Sequence, residues 1–178
     1  MKTTVIAVVG SKSSGKTTII EVLTEQLTKR GYKIAVVKHI PEPNFTIDTK
    51  GKDTWKFAQS GAKTIVSMAS DEIATIEKID TTSFSVEEIL HRCRDVDFVF
   101  LEGFKKLVGK NYDVPKIVTV KSTEEALEAL ETFKPILAFT GLYSIETLNS
   151  NVPYLNVLEN RQKIVDMVEE KCQKKMES

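Results

Sequence analysis

Residues 10–17 read Gly-Ser-Lys-Ser-Ser-Gly-Lys-Thr and satisfy every fixed position of the pattern G-x-x-x-x-G-K-[ST]. The chemistry that this spacing supports is the cradling of a polyphosphate. Gly10 and Gly15 let the backbone curl, so that successive N–H groups around Ser13, Ser14, Gly15, Lys16, Thr17 and Thr18 turn toward an anion. The positive end of the following helix favours the same charge. Lys16 has the reach for β- and γ-phosphates, and Thr17 offers a hydroxyl to Mg²⁺. A Gly/Ser-rich turn that merely enters a helix is the plainer alternative. Against it stands the context: the β-branched run Thr3–Val9 precedes the string, and the helical pattern Thr17–Leu23 follows it. The residues point to a bound nucleoside triphosphate.

A phosphate site of this kind needs acidic partners, because Mg²⁺ prefers oxygen ligands and usually takes one or two carboxylates. Glu102 follows the apolar run Phe98-Val99-Phe100-Leu101. That places it at the carboxyl end of a buried strand, the edge where open α/β sheets bind ligands. Asp97 begins the same run and belongs to the opposite edge. Lys38 and His39 end another strand at the ligand edge. Lys38 is suited to stabilise charge developing on a transferring phosphoryl group, whereas His39 reads better as a hydrogen-bonded loop histidine. In the segment Asp48-Thr49-Lys50-Gly51-Lys52-Asp53, either carboxylate could reach Mg²⁺ or orient an attacking water. Asp53 has a second reading as a helix N-cap. Trp55 reads as core before it reads as a stacking platform. Lys105, Lys106 and Lys110 leave the ligand edge in what reads as a loop, a place for a second anion to dock.

These groups have to be held by strands and helices. Ile19, Ile20, Leu23 and Leu27 form a stripe of helical period, with Lys29, Arg30 and Gly31 as its C-terminal chemistry. Lys33–Lys38 reads as a buried strand, so strand, crossover helix and strand make a βαβ unit with a parallel sheet. The stretch His39–Gly51, with two prolines, reads as a long loop of the functional kind. A short helix over Asp53–Ser60 comes next, and then two strands, Lys63–Met68 and Glu72–Glu77. Those two are close enough for an antiparallel hairpin, which would make the sheet mixed. Ser85-Val86-Glu87-Glu88 is a capping box opening a helix to Arg92. Val96–Leu101 is the most apolar strand and is expected near the sheet centre. Strands over Lys116–Val120 and Pro135–Phe139, a helix capped by Ser122, and an amphipathic helix over Asn160–Lys174 complete the pattern. The fold class is α/β, a three-layer nucleotide-binding fold with a mostly parallel sheet. Residues 1–173 read as one domain and 174–178 as a frayed tail.

Composition narrows the partners. The 178 residues carry 25 basic and 25 acidic side chains, so no global field draws the chain to nucleic acid or to an anionic membrane. Cys93 and Cys172 lack metal-ligand spacing and read as buried small hydrophobes. The longest apolar runs fall far below the roughly 20 residues needed to cross a bilayer. With Met1 leading directly into the first strand, a cytoplasmic protein without a signal or transit peptide is expected.

Taken together, the phosphate string, Lys38-His39, the segment Asp48–Thr54 with Ser60-Gly61-Ala62 behind it, and Leu101-Glu102-Gly103-Phe104-Lys105 resemble the molybdopterin-guanine dinucleotide biosynthesis protein B (MobB) family. Their order and spacing span roughly residues 3 to 106. The resemblance implies a GTP-binding P-loop protein with slow GTPase activity. It implies an accessory role in attaching GMP to molybdopterin beside the guanylyltransferase of the molybdenum cofactor, and it makes a homodimer plausible. The wider class, which includes dethiobiotin synthetase, implies Thr17, Asp48 and Glu102 as the Mg²⁺ shell and Lys38 as a phosphate contact. Two departures matter. Ile40-Pro41-Glu42-Pro43-Asn44 stands where many members carry further histidines, and no Asn/Thr-Lys-x-Asp motif reads guanine. A different class of function, a P-loop small-molecule kinase or ATP-dependent ligase, would give the lysine-rich loop an acceptor substrate.

Overall fold

The computed structural model describes residues 3–143 and 150–176, with side chains through Gln173. Packing divides the chain into two compact units, one made of residues 3–39 with 85–176 and the other of 40–84.

The larger unit carries the central sheet. Its strands are β1 (Thr4–Gly10), β2 (Ile34–Lys38), β5 (Phe98–Glu102), β6 (Lys116–Thr119), β7 (Ile136–Gly141) and β8 (Tyr154–Asn156). Among the described residues they lie in the order β2-β5-β1-β6-β7-β8, and every neighbouring pair is parallel. Parallel strands in the sheet interior are covered on both faces, which is why β1 and β5 read as near-continuous apolar runs. β2 is an edge strand with no buried residue and Val36 46% exposed, so it is not the buried strand expected over Lys33–Lys38. One face packs Ile6, Val8, Phe98, Phe100, Ile117 and Leu155 against α1 (Lys16–Lys29) and α6 (Arg161–Met176). Strand alternation turns Val5, Ala7, Val9, Val99, Leu101 and Val118 to the other face, and they too are buried. Apart from the first cluster, Val86 and Ile89 of α3 (Val86–Leu90) and Ala126 and Ala129 of α5 (Thr123–Thr132) are buried as well. Fully burying a side chain such as Phe100 or Leu23 contributes about 1.5–3 kcal/mol relative to exposure.

Helix boundaries follow local chemistry. α1 ends in a Schellman arrangement: the Tyr32 N–H donates to Leu27 O at 3.1 Å and the Gly31 N–H to Thr28 O at 2.9 Å. Gly31 supplies the required left-handed φ of 92°. Arg30 then ties α1 to Asp166 and Glu169 of α6. At α3 the expected capping box is complete, with Ser85 Oγ accepting from Glu88 N and Glu88 Oε2 accepting from Ser85 N at 2.6 Å.

The smaller unit holds α2 (Asp53–Gln59), β3 (Thr64–Met68) and β4 (Ile73–Glu77). The hairpin is antiparallel as expected, but it forms its own two-stranded sheet, so the central sheet is not mixed. Other expectations need adjustment. β5 is interior, between β2 and β1, while β1 and β6 form the middle pair. β7 runs on through Thr140 and Gly141. Lys105–Val108 is one helical turn, α4, and not plain loop. β8 was not legible as a strand at all. Cys172 is buried, but Cys93 is only half-buried, which pushes its thiol pKa up. The frayed end expected at 174–178 lies outside the residues whose side chains are described.

Candidate functional site

Parallel strands bring their carboxyl ends to one edge, and register decides which side chains stand side by side there. Val8 and Lys38 both pair with Glu102, and Gly10 pairs with Thr119. The turn leaving β1 therefore starts between the ends of β5 and β6. Gly10 is required by that crowding: a Cβ there would lie 2.1 Å from Thr119 Oγ1 and 2.3 Å from the Thr119 carbonyl oxygen. Ser13 and Gly15 take left-handed backbone, with φ of 58° and 99°. Left-handed residues in such a turn favour a nest, in which consecutive N–H groups converge on an anion.

The loop is braced from within. Buried Ser14 donates through Oγ to the Ser11 carbonyl at 2.8 Å and lies 2.5 Å from the Thr119 hydroxyl. Lys16 folds back so that Nζ donates to Ser11 O at 2.6 Å and more weakly to Gly10 O at 3.4 Å. Burial pushes the Lys16 pKa below its ordinary value. Glu102 works against that shift, while Lys105, Lys38 and Lys121 reinforce it. The charges acting on Lys16 are thus three further ammonium groups and one carboxylate, and the Glu125 carboxylate also reaches the loop at Ser11.

α1 begins at Lys16 with Gly15 as its N-cap, no side-chain cap and no acidic residue in its first turn. Its leading N–H groups have no carbonyl within the helix to meet. α3 and α5, by contrast, each carry two glutamates in the first turn. Thr17 is exposed and Thr18 half-buried at the start of α1.

Glu102 is 8% exposed, and its Oε1 sits 3.2 Å from Lys38 Nζ. The chain turns sharply beyond it: Gly103 has φ 88°, and Phe104, not a glycine, has φ 52°. A left-handed phenylalanine costs on the order of 1–3 kcal/mol. His39 packs its ring on Phe104 with centroids 5.2 Å apart, and its N–H bonds Glu102 O at 3.0 Å. The bond is a backbone one that continues the β2–β5 ladder, and the imidazole itself meets Phe104. Asp97 stands at the far edge, as expected, accepting from Lys33 N at 2.8 Å.

Asp48 and Asp53 belong to the smaller unit. Asp48 Oδ1 accepts from Thr49 N at 2.9 Å and from Thr54 Oγ1 at 2.8 Å, whereas its Oδ2 is buried without a partner among the described residues. Such an oxygen is under-satisfied and fits a cation ligand. Asp53 is not the N-cap: Lys52 occupies that position, and Asp53 is the first helical residue, paired on the surface with Lys56 at 3.4 Å. Trp55 is half-buried. The structure thus brings Lys16, Lys38 and Glu102 to one edge and sets the two aspartates in the second unit.

Three contributors were missed. Thr119 ends β6, Lys121 lies just beyond it, and Glu125 stands in the first turn of α5. The strand-end rule, applied to β6 as it was to β5, would have found the first two.

A family model described as "Molybdopterin guanine dinucleotide synthesis protein B" matches residues 5–140. A provisionally named molybdopterin-guanine dinucleotide biosynthesis adapter protein of Methanocaldococcus jannaschii is 39% identical over 123 residues, 67% of this chain and 48% of that protein. The molybdopterin-guanine dinucleotide biosynthesis adapter protein of Haemophilus influenzae is 30% identical over 115 residues, 64% of this chain and 61% of its own length. The chain therefore spans about half to three fifths of these relatives. A crystal structure of molybdopterin-guanine biosynthesis protein B (mobB) superposes with a TM-score of 0.72 at 27% identity, covering 95% of this chain and 99% of that one.

Proposed function

Since the chain belongs to the molybdopterin guanine dinucleotide synthesis protein B family, we propose that it is a GTP-binding adapter with slow GTPase activity. In this reading it assists the conversion of molybdopterin to molybdopterin guanine dinucleotide beside the guanylyltransferase. The observation that carries the reading is the Gly10–Thr17 loop. Left-handed Ser13 and Gly15, an uncapped helix start without acids, and four lysines at one edge all favour a polyanion.

The residues would divide the work as follows. Lys16 and the N–H groups from Ser13 to Thr18 hold β- and γ-phosphate oxygens. Lys38 meets the phosphate that carries developing charge. Thr17, Glu102 and Asp48 would hold Mg²⁺, which would supply electrostatic stabilisation of the phosphate oxygens. The buried partnerless oxygen of Asp48 fits such a role. Among the described residues no three of His, Cys, Asp and Glu converge on one point, so a hydroxyl, water and phosphate oxygens must complete the shell. Asp48 or Asp53 would be the carboxylate to orient an attacking water. Lys105 and Lys106 face the anionic pterin or the partner enzyme.

Calorimetric titration of the purified chain with GTP and with ATP, each with Mg²⁺, tests the proposal. Tighter GTP binding and slow hydrolysis without an acceptor support it. Turnover of about 1–100 s⁻¹ that needs ATP and a small acceptor would overturn it in favour of a kinase.

A further inference from the structure

The first turn of α5 departs from the box seen at α3. Ser122 Oγ accepts from Glu125 N at 3.3 Å, the ordinary half of a capping box. The Glu125 carboxylate, however, does not close on Ser122. Its Oε2 accepts from the Lys121 N–H at 2.9 Å. Both carboxylate oxygens also face Ser11 Oγ, 114 positions away, at 3.1 and 3.3 Å. Ser11 is the residue whose carbonyl receives Lys16 Nζ at 2.6 Å and Ser14 Oγ at 2.8 Å. One half-buried carboxylate thus fixes, from a separate helix, the peptide on which two side chains of the loop hang, and it anchors the backbone of Lys121.

We propose that Glu125 is a positioning residue of the anion site, holding Ser11 so that the Lys16 and Ser14 anchor stays formed before a polyphosphate arrives. This rests on the nucleotide-binding reading above. A carboxylate acceptor makes the stronger, charge-assisted kind of hydrogen bond, and a loop ordered in advance loses less entropy on binding.

The test is a double-mutant cycle on the affinity for GTP with Mg²⁺, run beside thermal melting. Ser11→Ala leaves the α5 cap untouched and keeps the experiment informative if Glu125→Ala folds poorly. Each single change is expected to weaken binding about tenfold. The double variant should be no weaker than the worse single one, because both remove the same contact. Glu125→Gln, which keeps an acceptor oxygen, should recover part of the loss. A role confined to capping α5 predicts a lower Tm for Glu125→Ala with unchanged affinity in Ser11→Ala, and that result overturns the proposal. Additive losses overturn it as well. If the wild-type chain binds no nucleotide, the underlying reading falls and this one with it; binding by wild type without coupling removes this one alone.

Discussion

Lys38 and Glu102 close the carboxyl ends of two hydrogen-bonded parallel strands, in register and with their side chains 3.2 Å apart. The carboxylate is almost wholly buried and the ammonium mostly exposed. The pair therefore reaches solvent through its cation, the side an incoming phosphate would meet, while the acid stays beneath.

Glu102→Gln separates a metal role from a pairing role. If Glu102 faces Mg²⁺, the variant should lose most of the gain in nucleotide affinity that Mg²⁺ provides, about tenfold by the worth of one charge-assisted contact. Its metal-free affinity should hold or improve, because a negative charge has left the site. Titrations with Mg²⁺ and with a chelator measure the difference. An unchanged metal dependence would assign Glu102 to Lys38 alone.

Lys16→Ala deletes charge-assisted hydrogen bonds worth roughly 1.5–3 kcal/mol each and should weaken GTP binding at least about tenfold. The pH dependence has a defined sign. Burial holds the free Lys16 ammonium below its ordinary pKa, and a bound anion raises it again. Binding therefore takes up protons, and affinity falls as pH rises through the lowered value. Equal affinities for wild type and variant would remove the loop from the site.

Gly10→Ala and Gly31→Ala make a matched pair. At Gly10 a Cβ meets Thr119 side-chain and backbone oxygens at 2.1 and 2.3 Å, and the backbone cannot yield without moving β1 from β6. At Gly31 no heavy atom lies within 4 Å, and the cost is conformational alone. Gly31→Ala should lower stability by about 1–2 kcal/mol and leave binding intact. Gly10→Ala should cost about 1–3 kcal/mol of strain and should also abolish nucleotide binding. Melting curves and titrations on both variants decide it.

The loop, Lys16, Lys38 and Glu102 were legible because each depends on a local rule: a glycine pattern between strand and helix, or a charge ending an apolar run. Asp53 misled because an aspartate is favourable both as N-cap and in the first turn of a helix, and backbone φ/ψ decides between the two positions. The hairpin was legible as a pair, but nothing in its residues says whether a pair joins a larger sheet. β8 has three residues, too few for any period. Glu125 lies three residues after Ser122, where its place in the helix cap is the local reading. Its contact with Ser11 crosses 114 positions, a proximity created by the order β1-β6 in the sheet and not by spacing along the chain.

Asp48→Asn tests the partnerless oxygen. The variant retains Oδ1 as acceptor for Thr49 N and Thr54 Oγ1 and replaces the buried, unbonded Oδ2 with a neutral group. If that oxygen serves a cation, Tm should hold or rise, while the Mg²⁺ dependence of GTP affinity drops about tenfold. A fall in Tm with unchanged metal dependence would make Asp48 a strut of its loop and nothing more.

Lys116 makes a prediction remote from the ligand edge. It opens β6 at the opposite end of the sheet, is wholly buried, and donates to the carbonyls of Asn111 and Lys134 at 2.6 Å each. Burial lowers its pKa to about 8, whereas the unfolded chain restores a value of about 10.4. Between those values the unfolded state binds more protons, so stability rises with pH there. Below about pH 8 both states are charged, and the penalty of burying the ammonium is constant. The denaturation midpoint of the wild type should therefore climb from pH 8 to pH 10 relative to that of Lys116→Met, which cannot titrate. Lys116→Met leaves two buried carbonyls without their donor, so it should be the less stable protein at pH 10. Parallel midpoints across that range would mean that Lys116 keeps its proton at little cost, its two carbonyls offsetting the loss of water.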